Sequence, residues 1–129
     1  MDISVGGIQT NLKQKYDSGK FSKEDLAYSC QETVFAMLVE VAERAMAHTQ
    51  KKELLLGGGV ACNGRLQEMC KIMCEERGAK FYCPPRPVLV DNGLMIAWQG
   101  IIQKKHTTKD LDSIDILPKW RTDEVDVDW

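Results

Sequence analysis

A short apolar run followed by a helical pattern marks the centre of this sequence. Leu54, Leu55 and Leu56 lie between charged residues and glycines, which predicts a short and fully buried strand. Three glycines at positions 57–59 follow, and they allow the backbone to turn sharply. After Asn63 the apolar positions recur with the spacing of an amphipathic helix. These positions are Leu66, Met69, Cys70, Met73 and Cys74.

The segment before this centre predicts a long helix. Ser22 and Asp25 fit a capping box, and Phe21 and Leu26 are spaced for a hydrophobic staple across it. We therefore expect a helix over residues 23–49. Its second half is apolar on nearly every side, so the helix must be buried over most of its surface, either by a sheet or by a partner.

The segment after the central helix predicts a second strand and a third helix. The central helix should end at Gly78, because glycine is favoured just past a helix. Residues 79–83 then form a strand, which a right-handed crossover would place parallel to the first strand. Residues 84–87, Pro-Pro-Arg-Pro, predict a stiff loop before the last helix. That helix carries Leu94, Ala97, Trp98 and Ile101 on one face.

The two ends of the chain have weaker patterns. Residues 1–10 predict an extended segment that bends at its paired glycines, and residues 11–18 predict a short helix. Residues 105–129 form a polar segment and a tail. In that tail the apolar residues alternate with acids from Val125 to Trp129, which predicts an edge strand.

Composition and charge narrow the class of protein. A chain of 129 residues fits one domain, and 43% hydrophobic with 28% charged residues is typical of a globular protein. The net charge of −2 gives no support for broad nucleic-acid binding. No secretory signal and no membrane-spanning run is visible, so we expect no membrane partner.

The five cysteines predict reduced thiols in the cytosol, because their number is odd and no secretory signal accompanies them. Cys70 and Cys74 lie one helical turn apart on the apolar stripe. A zinc pair is the alternative there, but the usual Cys-x-x-Cys spacing is absent, so core packing is favoured.

The glycine turn has two interpretations. A strand, a glycine turn and a helix start can present backbone N–H groups and the positive end of a helix to a phosphate. The alternative is an ordinary tight turn with no ligand. Two well-known phosphate loops do not fit. The sixth position of a dinucleotide fingerprint is Cys62 rather than glycine, and Arg65 and Leu66 stand where a P-loop has Lys and Ser or Thr.

Four segments together resemble one known family. Residues 56–66, Leu-Gly-Gly-Gly-Val-Ala-Cys-Asn-Gly-Arg-Leu, are similar to the motif Gly-Gly-Val-Ala-x-Asn-x-Arg-Leu of the TsaD/OSGEP proteins. Residues 91–97, Asp-Asn-Gly-Leu-Met-Ile-Ala, are similar to their Asp-Asn-Gly-Ala-Met-Ile-Ala. Residues 29–40 resemble the family's long helix, and residues 120–125 resemble the C-terminal signature of the archaeal and eukaryotic branch, which works in the KEOPS complex. Residues 4–7, Ser-Val-Gly-Gly, depart from the family's Ser-Phe-Ser-Gly.

The resemblance implies an α/β fold, namely the C-terminal subdomain of an actin-like ATPase fold (ribonuclease H-like), with a βαβ core and a long buried helix. Residues 1–129 would form a single C-terminal lobe, with the family's N-terminal lobe absent. The implied activity of the full-length protein is tRNA N6-adenosine threonylcarbamoyl transfer to the adenosine beside the anticodon, and the isolated fragment is expected to be inactive. Two alternatives stay open: a metal-dependent glycoprotease, as the family was formerly described, or a non-catalytic module for nucleotide binding or interaction.

The resemblance also implies the site. Gly57, Gly58 and Gly59 would approach the nucleotide through their backbone. Asn63 would contact it through its side chain, the ligand being an adenine nucleotide or threonylcarbamoyl-adenylate. Asp91 would bind one divalent metal, iron or zinc. This metal would be shared with the missing lobe, because this sequence contains no His-x-x-x-His. From the residues alone, Asn63 and Asp91 are also ordinary N-caps for the helices that follow them.

The implied partners are tRNA and the other KEOPS subunits, which include a small atypical kinase. The long helix is too apolar for one lobe to cover. We therefore also expect the fragment to form a homodimer. The implied location is the cytoplasm, with the nucleus also open.

Overall fold

The computed structural model describes residues 3–127, in two units that are divided between Val90 and Asp91. The first unit contains the helices α1 (Gly6–Asp17), α2 (Lys23–Thr49), α3 (Gly64–Glu76) and α4 (Arg86–Leu89) and the strands β1 (Glu53–Leu55) and β2 (Lys80–Tyr82). The second unit contains α5 (Gly93–Ile102). Short 3₁₀ turns lie at Gly59–Cys62, Lys104–His106, Leu111–Ser113 and Thr122–Glu124.

This order of elements confirms the predicted α/β class, with a mostly helical chain and a two-stranded parallel sheet. The actin-like architecture and the single lobe over residues 1–129 stay predictions. None of the helices within residues 3–127 is long and apolar enough to cross a membrane.

The two strands pair in parallel, as predicted, and their register places Leu54 beside Phe81 and Leu55 beside Tyr82. Leu54 and Phe81 are half-buried and pack against the core. Successive strand residues point to opposite faces, so Leu55 lies on the other face, where it is 69% exposed. The prediction of a fully buried strand is therefore wrong, because the helices of the first unit cover one face of the sheet and leave Leu55 uncovered.

The core lies between α2, α3 and the covered face of the sheet. Its buried residues form two clusters, Phe35 with Leu66 and Cys70, and Met46 with Met73 and Cys74. The predicted apolar face of α3 is thereby confirmed. Cys70 and Cys74 belong to the core, as predicted, and burial raises the pKa of both thiols.

The long helix α2 has the bounds that the sequence predicts. The Ser22 Oγ accepts a hydrogen bond from the Asp25 backbone N–H at 3.0 Å and donates one to the Asp25 carboxylate at 2.7 Å. The buried residues of α2 are Leu26, Phe35 and Met46, so this chain alone does not bury most of the helix, and burial by a partner stays a prediction. In the first unit α2 packs against α1 and α3.

The N-terminal segment differs from the prediction. The glycines at positions 6 and 7 open α1 instead of bending an extended segment. Ile8 and Leu12 are half-buried and line a groove together with Leu26 of α2. This packing against α2 outweighs the low helix preference of glycine.

The segment after β2 also differs. Arg86 and Pro87 belong to α4 rather than to a stiff loop. Proline is tolerated in the first turn of a helix, because the N–H that it lacks has no intrahelical partner there.

The predicted edge strand is wrong as far as the structure describes it. Residues 125–127 are not a strand, and a 3₁₀ turn forms at Thr122–Glu124 instead. Arg121 donates two hydrogen bonds of 2.9 Å to the Asp123 carboxylate, and these local bonds favour a turn. Trp129, the last residue of the predicted strand, lies outside the described residues.

Candidate functional site

Residues 57–63 lead from the sheet to α3 and form what we call the glycine loop. Gly58 has a φ of 88°, which glycine adopts readily and other residues rarely do. The Ala61 N–H then donates a hydrogen bond to the Gly58 carbonyl at 3.1 Å, within the 3₁₀ turn Gly59–Cys62. The predicted order of strand, glycine turn and helix is confirmed, with this extra turn inserted before the helix.

The inner side of the glycine loop is anchored to α3 and to the residue after β2. Ala61 is 1% exposed. Its carbonyl oxygen accepts a hydrogen bond from Gln67 Nε2 at 2.7 Å and a weaker one from Cys83 Sγ at 3.8 Å. The backbone of the loop is therefore fixed by two groups that follow it in the sequence.

The outer side of the glycine loop is bare backbone. A Cβ atom built on Gly57, Gly58 or Gly59 would meet no atom within 4 Å. The φ of Gly58 explains the need for glycine there, but neither a positive φ nor crowding explains Gly57 and Gly59. Both leave backbone N–H groups uncovered by side chains, so a ligand has access to them.

Asn63 ends the loop and caps α3, as predicted. Its Oδ1 accepts hydrogen bonds from the backbone N–H groups of Arg65 at 2.9 Å and Leu66 at 3.3 Å. Its Nδ2 donates a hydrogen bond to Gln31 Oε1 on α2 at 3.1 Å. An amide nitrogen carries two hydrogens, so a second N–H of Asn63 is left for a ligand. One residue can therefore serve as both cap and ligand contact.

Arg65 ties the start of α3 to α2. Its Nε and Nη2 donate to the two carboxylate oxygens of Glu32 at 2.9 Å each, and its Nη1 donates to Glu68 at 2.6 Å. The hydrogen bond from Arg65 lowers the pKa of Glu32, and a hydrogen bond from Gln31 adds a smaller effect in the same direction. The hydrogen bonds to Glu32 and, next, to Glu68 raise the pKa of Arg65. Because its guanidinium is committed to two carboxylates, Arg65 does not act as a P-loop lysine.

Asp91 opens the second unit as an exposed residue. The helix that follows is capped by the next residue, since Asn92 Oδ1 accepts a hydrogen bond from the Met95 N–H at 3.0 Å. The prediction that Asp91 caps this helix is therefore wrong, because α5 begins at Gly93 and the cap position falls on Asn92.

A carboxylate such as that of Asp91 has the chemistry of one metal ligand. Within residues 3–127, however, no group of three or more His, Cys, Asp or Glu side chains is placed to hold a metal ion. The described residues do not by themselves fit a complete metal centre.

Sequence reasoning missed Gln31 and Glu32 as parts of this site. They lie 32 and 33 residues before Asn63 and Arg65, their partners on α3. The signal that was available is a pair of polar residues directly before the Thr-led apolar run at residues 33–39. Polar side chains on a half-buried part of a helix need partners, and these two find them beside the glycine loop.

Comparison with known proteins identifies the family. A family model described as TsaD, tRNA N6-adenosine threonylcarbamoyltransferase, matches residues 1–98. The chain belongs to the TsaD family. The matched range includes the glycine loop and Asp91, so the resemblance that the motifs indicate is confirmed.

The relatives in the TsaD family cover the whole chain. The tRNA N6-adenosine threonylcarbamoyltransferase of Thermococcus kodakarensis is 52% identical over 130 residues, which are 100% of this chain and 40% of that protein. Its counterpart in Methanocella arvoryzae is 50% identical over 130 residues, again 100% of this chain and 40% of that protein. The probable bifunctional tRNA threonylcarbamoyladenosine biosynthesis protein of Methanocaldococcus jannaschii is 48% identical and is covered over 24% of its length. The chain thus spans 40% or less of the length of these three relatives.

Proposed function

We propose that this chain is the C-terminal lobe of a tRNA N6-adenosine threonylcarbamoyltransferase with an actin-like ATPase fold. The match to the TsaD family and the names of the relatives support this proposal. In the whole protein, the amine of the tRNA adenosine attacks the carbonyl carbon of threonylcarbamoyl-adenylate. The bond from that carbon to the phosphate oxygen breaks, the adenylate leaves, and the amine loses a proton. The share of this lobe in the reaction is to bind and orient the nucleotide.

The observation that carries the proposal is the bare backbone of the glycine loop. The fold of the chain accounts for Gly58 but not for Gly57 or Gly59, whereas close approach of a ligand accounts for all three. The loop precedes α3, whose N-terminal end favours negative charge. An adenine nucleotide or threonylcarbamoyl-adenylate supplies that charge through its phosphate. Asn63 adds a side-chain N–H at the end of the same loop.

Asp91 is proposed as one ligand of a divalent metal, iron or zinc, in the whole protein. Its carboxylate is exposed and is not used as a helix cap. The remaining ligands would come from outside this chain, because its described residues offer no group of three.

We further propose tRNA as the substrate, the KEOPS subunits with their small atypical kinase as partners, and a cytoplasmic location, with the nucleus also open. The apolar side chains that α5 exposes support a protein interface. A non-catalytic interaction module is therefore the second candidate function. Nucleotide binding at the glycine loop distinguishes the two, since a pure interaction module has no use for it.

A chimera tests the proposed function. This chain would replace the C-terminal 40% of the Thermococcus kodakarensis relative, and threonylcarbamoyl transfer to tRNA would be measured in a single turnover. We expect an active chimera, and a rate at least about tenfold lower in Asn63→Asp, a change of about 1.4 kcal/mol in the barrier. Aspartate keeps a capping acceptor but lacks the N–H donors of the amide.

The matched control is Asn92→Asp, which makes the same exchange at the cap of α5. It should keep the rate of the parent chimera. A folded but inactive chimera, or full activity of Asn63→Asp, would contradict the proposal.

A further inference from the structure

We propose that Gln31 is a positioning residue that sets the direction of the ligand-binding N–H of Asn63. This inference rests on the proposed nucleotide binding. Gln31 lies on α2, outside the glycine loop, and its Oε1 accepts the hydrogen bond that Asn63 Nδ2 donates at 3.1 Å.

The planar amide of Asn63 is held at two of its corners. Its oxygen is held by the backbone N–H groups of Arg65 at 2.9 Å and Leu66 at 3.3 Å. These two hydrogen bonds fix the position of the oxygen, but the plane of the amide can still rotate about it. Gln31 holds the first N–H of Nδ2, which fixes the plane. Because the group is planar, the direction of the second N–H is then determined.

The part of α2 that carries Gln31 is tied to the start of α3 by the neighbouring residue as well. Glu32 is held in turn by the two hydrogen bonds from Arg65, each 2.9 Å long. Two consecutive residues of α2 thus contact the start of α3, Gln31 at Asn63 and Glu32 at Arg65.

This arrangement decides which ligand atom can face Asn63. A carbonyl oxygen has two lone pairs, and both are used on Asn63 Oδ1 by the N–H groups of α3. The side chain of Asn63 therefore offers a donor and no acceptor. The ligand atom at this point must be an acceptor, such as a ribose oxygen, a phosphate oxygen or a ring nitrogen. An amino group such as that on adenine does not fit there.

The test compares two glutamines that each make one hydrogen bond to the same loop. Gln31→Met removes the acceptor for Asn63 with little change in volume. Gln67→Met is the matched control, because it removes the 2.7 Å hydrogen bond to the Ala61 carbonyl and leaves Asn63 untouched. Gln31→Glu keeps an acceptor oxygen at the same reach and serves as the conservative variant. Each variant would first be checked for a cooperative thermal melt.

The first measurement needs no ligand. NMR spectra of the chain show two side-chain amide protons for Asn63, assigned by their loss in Asn63→Asp. We expect Gln31→Met to move the hydrogen-bonded proton signal upfield and to speed its exchange with water. Gln67→Met should leave both signals in place, and Gln31→Glu should retain the downfield signal.

The second measurement is a titration with ATP, followed at the backbone amide signals of Gly57 and Gly59. We expect the Kd to rise at least about tenfold in Gln31→Met, and by a clearly smaller factor in Gln67→Met, which loosens the loop backbone but leaves Asn63 in place. A general loosening of the loop would weaken ATP binding in both variants to a similar degree. A difference between their Kd values therefore points to the position of Asn63.

Each outcome decides one part of the inference. Unchanged Asn63 signals in Gln31→Met would overturn the positioning role. Changed signals with an unchanged Kd would overturn its connection with the ligand. If ATP moves no loop signal in the wild-type chain, the proposed nucleotide binding fails in this chain. The side-chain signals then decide alone whether Gln31 positions Asn63.

Discussion

Arg65 and Glu32 are joined by two parallel hydrogen bonds, from Nε to Oε1 and from Nη2 to Oε2, each 2.9 Å long. They connect the first turn of α3 to α2. A second ion pair joins Arg77, just past the end of α3, to Glu43 of α2. The two pairs follow the same order along both helices, so α2 and α3 run in parallel and are tied at both ends of α3. The end of the glycine loop that carries Asn63 is held by this pairing.

Acid should weaken the first of these connections. The pKa of Glu32 lies below its usual 4.5, chiefly because of the hydrogen bond from Arg65. The stability that this carboxylate contributes is present above its unfolded-state pKa and is lost as the pH falls through the lower, folded-state pKa. We expect the Tm of Glu32→Gln to be lower than that of the wild type at neutral pH and to fall less on acidification. Thermal melts across that pH range measure both effects.

The control for the acid effect is Glu68→Gln, which removes the charge of the hydrogen-bond partner on the more exposed side of Arg65. Its acid-induced fall in Tm should resemble that of the wild type. If Glu32→Gln lost as much Tm on acidification as the wild type, the Arg65 pair would not be the source of the effect.

Gln50, just past α2, has a left-handed backbone conformation with a φ of 57°. Two hydrogen bonds close this end, from Gln50 N–H to the Ala47 carbonyl at 3.3 Å and from Lys51 N–H to the Met46 carbonyl at 3.0 Å. A side chain in this conformation costs about 1 kcal/mol relative to glycine. We therefore expect Gln50→Gly to raise the free energy of unfolding by about that amount in urea titrations. Gln103→Gly, after α5 at a φ of −91°, has no such strain to relieve and should not gain stability.

The variant Asp91→Asn tests whether Asp91 binds a metal or only supports the fold. Because Asn92 caps α5, the free energy of unfolding should change by less than about 0.5 kcal/mol in Asp91→Asn, whereas Asn92→Ala should lose about 1 kcal/mol. In the chimera, metal content and transfer rate should fall together in Asp91→Asn, because a neutral amide oxygen binds a divalent cation more weakly. Thermal melting, metal analysis and single-turnover transfer would be run on one preparation. Full metal occupancy at the parent rate would show that Asp91 is not a ligand.

The 129-residue chain should self-associate. On α5, Leu94, Trp98 and Ile101 share one face and are 68%, 60% and 64% exposed. Such apolar surface usually marks an interface, and a symmetric dimer is the commonest product. Light scattering at rising concentration should show a mass above that of the monomer, and Trp98→Glu should lower it more than Gln99→Glu. A mass equal to that of the monomer at high concentration would contradict this prediction.

Local signals in the sequence predicted the ends of the helices well. Ser22 and Gly78 mark the start of α2 and the end of α3, because the groups that close a helix end lie within a few residues of it. Asp91 shows the limit of the same reasoning. A shift of one residue in the start of α5 moves the cap to Asn92, and the sequence offers acceptable cap residues at both positions.

The contacts that shape the site could not be predicted from local sequence signals, because they join residues that are far apart in the chain. Gln31 and Asn63 are 32 residues apart, and their pairing depends on how α2 packs beside α3. The exposure of Leu55 depends in the same way on how many layers cover the sheet. Three leucines in a row are compatible with a strand covered on both faces or on one. The periodicity identifies the element, but the surroundings decide its burial.

The double attachment of Asn63, to the start of α3 and to Gln31 on α2, links the occupancy of the loop to the stability of both helices. A ligand that binds only the folded form at a hundred times its Kd stabilises that form by about 2.7 kcal/mol. Ligand binding would therefore also stabilise the backbone of α2 around Gln31. Amide hydrogen exchange would slow there, although the ligand does not contact this part of the helix. The first third of the longest described helix would thus report from a distance whether the glycine loop is filled.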